Sequence, residues 1–232
     1  MGERRVKMSA MRRFIRNALR ESVVTHPCAR SYAQVDTTEL LAFKDELKAA
    51  GHSVTFAALT VKAIAVALKD SPDLNSYLDG DEIVVVDEIN VGVAMQGPRG
   101  LFVPVVRNVQ DKNVEEITAD MRELGRKVKN NEIIPDDLAG GTITLSSDGT
   151  GRTEVFGSIL TGNQCMLIGT GCTKKQPVVL KDGTIGIRDM TWVAFNMNHA
   201  ITDGIVVSRF TDRLCEVMEA PREYLGFHGN AL

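Results

Sequence analysis

A histidine and an aspartate near the end of the chain are the residues best placed to do chemistry. Residues 198–204 read Asn-His-Ala-Ile-Thr-Asp-Gly, and an apolar run over residues 192–197 leads directly into the histidine. This pattern predicts a buried strand with His199 at its end and Asp203 four residues later. Because the pKa of an unperturbed imidazole is about 6.5, a histidine in this position can exchange protons at neutral pH. The alternative is a structural histidine whose ring is satisfied by a neighbour.

A serine in a stretch rich in glycine and hydroxyl side chains is the second candidate. Residues 140–151 read Gly-Gly-Thr-Ile-Thr-Leu-Ser-Ser-Asp-Gly-Thr-Gly. The stretch lacks the Gly-Lys-Ser/Thr ending and the following helix of a phosphate-binding P-loop. It also lacks the third glycine of a dinucleotide fingerprint. The remaining interpretations are a strand that presents the Ser146 hydroxyl at the lip of a loop, or a serine that simply ends the strand.

The periodicity of apolar residues predicts the elements that must position these groups. Helical spacing predicts helices over residues 9–23, 40–51, 53–69, 114–128 and 204–218, the third of them buried on most sides. β-branched and apolar runs predict strands over residues 29–36, 83–86, 89–95, 101–106, 142–145, 164–169, 177–180, 184–188 and 190–197. Strands and helices do not alternate regularly, which predicts a single domain with an α+β fold and a mixed sheet.

Two turns and one proline refine this outline. Residues 96–100 and 181–183 contain glycine together with proline or aspartate, so they predict tight turns between neighbouring strands. Pro104 stands inside an apolar run. Because proline cannot donate to a sheet ladder, it predicts an edge strand or a bulge at that point.

Composition argues against several classes of partner. The 232 residues are 44% hydrophobic and carry a net charge of −3 with no basic run, so we expect neither nucleic acid nor a membrane as partner. No apolar stretch approaches the roughly 18 residues that cross a bilayer, and the charged residues 1–5 are not followed by an apolar signal region, so we expect a cytoplasmic protein. The cysteines show no Cys-x-x-Cys spacing and no cluster with histidine, which predicts reduced, mostly buried thiols and no metal site. They are Cys28, Cys165, Cys172 and Cys215.

Taken together, these segments resemble a known family. The His-x-x-x-Asp-Gly pattern of residues 199–204 resembles the signature of chloramphenicol acetyltransferase-like enzymes. The fuller resemblance is to the catalytic domain of dihydrolipoamide acyltransferases, the core components of 2-oxo acid dehydrogenase complexes such as pyruvate dehydrogenase. Residues 9–15, 90–106 and 142–146 resemble that family's opening helix, central hairpin and serine-bearing strand. The resemblance covers residues 6–226, and its motifs occur in the family's order.

The resemblance implies a fold, an assembly and a mechanism. The fold would be chloramphenicol acetyltransferase-like, a mixed sheet flanked by helices, in a homotrimer that can build a larger cubic or icosahedral core. His199 would act as general base on the thiol of coenzyme A or of a dihydrolipoyl group, and Ser146 would stabilise the oxyanion. Asp203 would fix the loop of His199 by pairing with Arg12 and by capping the following helix, with Gly204 completing the motif. Coenzyme A would be a substrate, and no metal is implied.

This sequence departs from the family pattern at two places near the site. The family usually has an arginine after the histidine, whereas Ala200 stands here, and residues 147–149 read Ser-Asp-Gly in place of Asn-Leu-Gly. Either change could alter the specificity for the acyl group or the thiol. We also expect residues 1–232 to form only the acyltransferase domain, with no lipoyl domain and no domain that binds partner subunits. The lipoyl group would then lie on a separate domain or protein, other dehydrogenase-complex subunits could be partners, or the acceptor would not be lipoamide.

Two other functions are compatible with some of these residues. A serine hydrolase could use Ser146, His199 and Asp203, but the sequence has no Gly-x-Ser-x-Gly elbow, and Asp203 follows His199 too closely to reach its far nitrogen. A non-catalytic scaffold could build an oligomeric core, although the presence of both His199 and Ser146 argues against it.

Overall fold

A mixed sheet with helices on both faces forms the centre of the molecule. The computed structural model describes residues 2–148 and 151–226. Its helices are α1 (Ala10–Thr25), α2 (Thr38–Ala49), α3 (Phe56–Lys69), α4 (Val114–Asn130), α5 (Pro135–Leu138), α6 (Gly204–Glu219) and α7 (Pro221–Tyr224). Its strands are β1 (Cys28–Asp36), β2 (Ser76–Asp79), β3 (Glu82–Val85), β4 (Val91–Val93), β5 (Met95–Gly97), β6 (Gly100–Phe102), β7 (Val105–Val106), β8 (Ile143–Ser147), β9 (Met166–Thr170), β10 (Lys174–Val179) and β11 (Ile185–Asn198).

Seven strands make up the large sheet, in the order β1-β11-β9-β8-β4-β7, with β10 paired to the outer part of β11. Strands β4, β8 and β9 run parallel to one another, and the other neighbours are antiparallel. Strands β2 and β3 form one small hairpin sheet, and β5 and β6 form another. The expected α+β fold with a mixed sheet is confirmed.

The main core lies between one face of this sheet and helices α2, α3, α4 and α6. Helix α3 is buried on almost every side, as its apolar composition predicts, and it contacts α4 and α6. Helix α6 turns Phe210 inward against Phe195 of β11, with the two rings edge to face and 6.2 Å apart. Both phenylalanines are wholly buried.

Helix α1 lies on the opposite face of the sheet. Side chains alternate between the two faces of a strand, so Ala194 and Asn196 point away from the core that Phe195 enters. Through the register of β9 and β8, Ser146 shares that outer face, and the apolar side of α1 lines a cavity beside it. Only Ser22 of α1 is buried, and Phe14 is 69% exposed. The helix therefore packs loosely on its own chain.

Two predicted strands are each broken in the structure. The strands predicted over residues 89–95 and 101–106 form one long hairpin that divides into the β4–β7 and β5–β6 pairs. The break lies at Ala94, whose N–H donates to Leu145, and at Pro104, which has no N–H to donate. The edge position predicted from Pro104 is confirmed, because β7 is the last strand of the large sheet.

The remaining differences concern element ends. The strands predicted over residues 184–188 and 190–197 are the single strand β11, and β2 was not predicted. The turn predicted over residues 181–183 is confirmed, since Gly183 adopts a φ of +84° and its N–H donates to Leu180. No helix within residues 2–148 and 151–226 is long and apolar enough to span a bilayer.

The packing of α6 gives a prediction about stability. Phe210→Ala should lower the free energy of unfolding by about 3–5 kcal/mol, because it leaves a cavity against Phe195. Ile205→Ala is the matched control on the same helix: Ile205 is 65% exposed, so we expect a change within about 0.5 kcal/mol. Urea denaturation of both variants measures the difference, and equal losses would contradict this orientation of α6.

Candidate active site

His199 follows the last residue of the longest strand. Strand β11 pairs with β1 along its length, and the final pair is Cys28 with Asn198. The His199 N–H donates to the carbonyl of Pro27 at 2.8 Å, which ties the histidine to the segment between α1 and β1. Its side chain is 45% exposed. The strand end predicted for His199 is confirmed, and its imidazole faces solvent.

Asn198 is a residue of the site that the sequence did not reveal. Its amide is wholly buried, yet it lies beside the exposed histidine. The Oδ1 atom accepts the Ala200 N–H at 3.1 Å, and Nδ2 lies 3.2 Å from Nδ1 of His26, the residue that ends α1. Oδ1 is the only acceptor of the Asn198 side chain, so the bond from the Ala200 N–H fixes the orientation of the amide. Its Nδ2 group therefore donates to Nδ1 of His26. The turn after His199 is therefore held to the end of α1. The one signal in the sequence was a polar residue at the end of an apolar strand.

Asp203 occupies the position before α6 but does not cap it. No hydrogen bond joins its side chain to the first amides of the helix, so the predicted cap is wrong. Its Oδ1 lies 3.7 Å from Nδ1 of His199, beyond hydrogen-bond distance, and the side chain is 79% exposed. The carboxylate is turned toward the imidazole and away from the helix. A Cβ added at Gly204 would meet nothing within 4 Å, so a single chain gives no steric reason for this glycine.

The pairing of Asp203 with Arg12 does not occur within the described part of one chain. Arg12 has no side-chain hydrogen bond or ion pair among residues 2–148 and 151–226. The cause is distance: fourteen residues of α1 separate Arg12 from His26, which is about 21 Å along a helix. His26 lies at the His199 end of the sheet, whereas Arg12 lies at the other end. An intrachain pair is therefore wrong for this structure.

Ser146 lies near the carboxyl end of β8, as predicted. It pairs with Gly169 of β9 and is half-buried, and its hydroxyl has no hydrogen-bond partner among the described residues. The next residue, Ser147, does have a partner: its hydroxyl oxygen accepts a hydrogen bond from the Thr170 hydroxyl at 2.8 Å. The Asp148 N–H donates to the Thr170 carbonyl at 2.9 Å, so Ser147 and Asp148, which form one of the two departures from the family pattern, anchor the strand end. Gly149 and Thr150 lie outside the described residues.

Ser146 and His199 lie at opposite ends of the sheet. Ser146 pairs with Gly169, and Gly169 pairs with Ala194 of the antiparallel strand β11. From Ala194 the strand runs five more residues to His199. That offset is about 17 Å along the strand and about 10 Å across two strand spacings, so the Cα atoms are about 20 Å apart. One chain therefore cannot bring both side chains to one reacting carbon, and it does not assemble a Ser-His-Asp hydrolase triad.

The thiols of the chain have no part in this arrangement. All four cysteines are free; Cys165 and Cys172 are buried, Cys215 is half-buried and Cys28 is exposed. Burial raises the pKa of Cys165 to about 11 and that of Cys215 to about 12. Both remain protonated at neutral pH and are poor nucleophiles. Among residues 2–148 and 151–226, no group of three or more His, Cys, Asp or Glu could hold a metal ion.

Comparison with known proteins gives one consistent family. Residues 1–226 match the family described as 2-oxoacid dehydrogenases acyltransferase (catalytic domain). The lipoamide acyltransferase component of the branched-chain alpha-keto acid dehydrogenase complex of Bacillus subtilis is 32% identical, covering 94% of this chain and 53% of the relative. The succinyltransferase component of the Saccharomyces cerevisiae 2-oxoglutarate dehydrogenase complex is 34% identical, covering 96% and 49%. The chain thus spans about half the length of these relatives.

Solved structures agree with the fold. The dihydrolipoamide acetyltransferase of Azotobacter vinelandii superposes with a TM-score of 0.92 at 29% identity, covering 97% of this chain and 94% of the other. A chain of the cubic core of the pyruvate dehydrogenase multienzyme complex gives a TM-score of 0.90 at 29% identity, with the same coverage. Chloramphenicol acetyltransferase, at 17% identity, a TM-score of 0.55 and coverage of 91% and 96%, shares the fold alone. The chloramphenicol acetyltransferase-like fold predicted from the sequence is confirmed.

The Asn198 contacts predict a local loss of order. Asn198→Ala should lower the free energy of unfolding by about 1–3 kcal/mol, because the wholly buried amide is lost together with its bonds to the Ala200 N–H and to His26. Hydrogen exchange over residues 198–202 should also become faster. His26→Ala removes only the bond from Asn198 to His26 and keeps the acceptor of the Ala200 N–H, so it should protect this segment better than Asn198→Ala does. Unchanged exchange in Asn198→Ala would contradict the role given to this amide.

Proposed function

The chain belongs to the family of 2-oxoacid dehydrogenase acyltransferase catalytic domains, and from that premise we propose that it moves an acyl group between a dihydrolipoyl thioester and coenzyme A. The observation that carries this proposal is that His199 and Ser146 each present an accessible polar atom without a hydrogen-bond partner among the described residues. These atoms are the second ring nitrogen of His199 and the hydroxyl of Ser146. Transfer from acyl-CoA to free dihydrolipoamide is the test, and its absence with every acyl-CoA would contradict the proposal.

In the proposed mechanism His199 moves the proton. The free nitrogen of its imidazole takes the proton from the attacking thiol, and the thiolate adds to the thioester carbonyl carbon. The tetrahedral intermediate then collapses, the bond to the original sulfur breaks, and the departing thiolate takes the proton from the imidazolium. Base catalysis of this kind contributes about 100- to 10,000-fold to rate. The turn that Asn198 fixes would hold the imidazole in place during both proton transfers.

Ser146 is proposed to stabilise the negative charge of the intermediate. The hydroxyl is unpaired among the described residues, so it can donate to the oxyanion without breaking a bond in the protein. One such donor is worth about 3 kcal/mol in related acyl-transfer chemistry. The strand end that carries it is rigid, since the neighbouring Ser147 and Asp148 are both bonded to Thr170.

We propose that the complete site forms between two subunits of a homotrimer. The separation of about 20 Å between Ser146 and His199 of one chain supports this, because at that distance the two side chains of one chain cannot reach the same carbon. The similar chain from the cubic pyruvate dehydrogenase core supports an assembly of this kind, and larger cubic or icosahedral cores are then open to it. His199 of one subunit would face Ser146 of its neighbour, with coenzyme A and the lipoyl group of another domain or protein reaching the same thioester.

The same assembly would bring Arg12 to Asp203. Arg12 lies at the Ser146 end of its own chain, so the Asp203 that approaches with a neighbour's His199 would arrive near it. The acetyltransferase of Azotobacter vinelandii was examined for the roles of a serine, a histidine and an asparagine in catalysis, and that asparagine follows the histidine by four residues. Asp203 has this spacing, which supports a role in orienting the histidine.

Complementation tests the shared site. His199→Ala should reduce acyl transfer about 100-fold or more, and Ser146→Ala also about 100-fold, through the lost base and the lost oxyanion donor. When the two variants are unfolded, mixed and refolded together, some interfaces will pair an intact Ser146 with an intact His199. Activity should then rise well above both parents. Mixed trimers, confirmed by native mass spectrometry, with no gain in activity would place both residues in one subunit.

A double-mutant cycle tests the contact between Arg12 and Asp203. Arg12→Ala and Asp203→Ala should each lower activity, and the double variant should be no worse than the poorer single, because paired groups are not additive. Arg13→Ala is the matched control, since the Arg13 guanidinium already donates to the Met8 carbonyl of its own chain at 2.7 Å. Exchanging the two charges, Arg12→Asp with Asp203→Arg, should restore part of the activity. Fully additive losses would exclude the pair.

A further inference from the structure

A largely apolar cavity lies beside Ser146. Its volume is about 450 Å³, within the range of roughly 300–1,000 Å³ usual for small-molecule sites. The apolar side of α1 roofs it, and Leu167 of β9 lies in its floor. Leu101 and Val103 form one wall, and Leu160 contributes to the other. The Ser146 hydroxyl opens into this space.

None of the sixteen residues that line the cavity carries a charge. The hydroxyl of Thr144 is already used, because it donates to Oε1 of Gln164 at 2.7 Å. Arg30 does not line the cavity: its Nε donates to Asn196 at 3.0 Å and its Nη2 donates to the Ser158 carbonyl at 3.3 Å, and these bonds hold the guanidinium behind the wall. Among the lining side chains, none is available to neutralise an anion inside the cavity.

From this cavity we infer that the enzyme selects uncharged aliphatic acyl groups, branched ones included, and rejects acyl groups that end in a carboxylate. The inference rests on the proposed acyl transfer at Ser146. If the Ser146 hydroxyl hydrogen-bonds the carbonyl oxygen of the thioester, the acyl chain bonded to that carbonyl extends into the adjoining apolar cavity. The sequence comparisons do not decide this point, because branched-chain and succinyl transferases match the chain about equally well.

The physical reason is the difference between burying a methyl group and burying a carboxylate. Each methylene that fills an apolar pocket improves kcat/KM by about 10- to 200-fold. An ionised carboxylate in the same space would lose its hydration and meet no charged side chain among the sixteen lining residues, which is far more costly than an unfilled volume. Leu101 is the residue best placed to change this preference, since it lines the cavity and is 54% exposed at its mouth.

The test compares three acyl donors with the whole protein. We expect kcat/KM with free dihydrolipoamide to be at least about 10-fold higher for isovaleryl-CoA than for acetyl-CoA, and at least about 100-fold higher than for succinyl-CoA. Equal or better use of succinyl-CoA would overturn the inference and leave the proposed acyl transfer intact. If no donor is used, the proposed function fails, and calorimetric binding of the same three thioesters decides the inference. Isovaleryl-CoA should bind most tightly, whereas equal or tighter binding of succinyl-CoA would overturn it.

Variants at Leu101 test the assignment of the cavity directly. Leu101→Arg supplies a cation at its mouth and should raise kcat/KM for succinyl-CoA at least about 10-fold while lowering that for isovaleryl-CoA. Leu101→Gln is polar without charge and should lack the gain. Val179→Arg adds the same charge at a 76% exposed position on β10 and should leave both values unchanged. A folded Leu101→Arg protein with no gain for succinyl-CoA, checked by thermal unfolding, would show that the acyl chain lies elsewhere.

Discussion

The hydrogen-bond ladder of β11 is the constraint on which the rest of the structure depends. This strand pairs with β1 over nine residues on one side and with β9 and β10 on the other. Its register sets which residues face the helical core and which face α1, because a shift of one residue would exchange the two faces. Phe195 meets Phe210 in the core, while Asn196 and Asn198 face outward. The same pairing places His199 at one end of the sheet and Ser146 at the other.

The outer face of the sheet is polar yet almost fully hydrogen-bonded. Asn196 accepts from Arg30 and donates to the Leu167 carbonyl, and Gln164 joins Thr144 to the Gly141 carbonyl. Satisfied networks of this kind stiffen a surface, because any movement would leave buried groups without partners. A rigid platform would suit the proposed enzyme, whose two reacting groups would come from different chains, since neither chain could correct the other's position.

Helix α1 connects the two ends of this platform. Its middle lines the cavity of Ser146, and His26, which follows its last residue, accepts a hydrogen bond from Asn198 beside His199. The helix buries only Ser22 and leaves Phe14, Val23 and Val24 largely exposed. Exposed apolar side chains on a helix that touches both ends of the site are consistent with a second subunit packing against it. The roof of the acyl cavity and the subunit interface would then be parts of one surface.

The sequence by itself determined the element types and the candidate residues. Apolar periodicity is a local property, so the five main helices, the strand that ends at His199 and the strand that carries Ser146 could be predicted from neighbouring residues alone. The motif spacing also identified the family, and Pro104 marked the edge strand because its missing N–H is visible in the sequence. The sequence could not predict which strands and helices pack or pair with one another. The break of the long hairpin, the buried contact of Asn198 with His26 and the distance between Arg12 and His199 all depend on which strands and helices become neighbours. Those contacts join residues far apart in the chain, and only the tertiary structure decides them, because strand register and helix placement are set by the packing of the whole sheet.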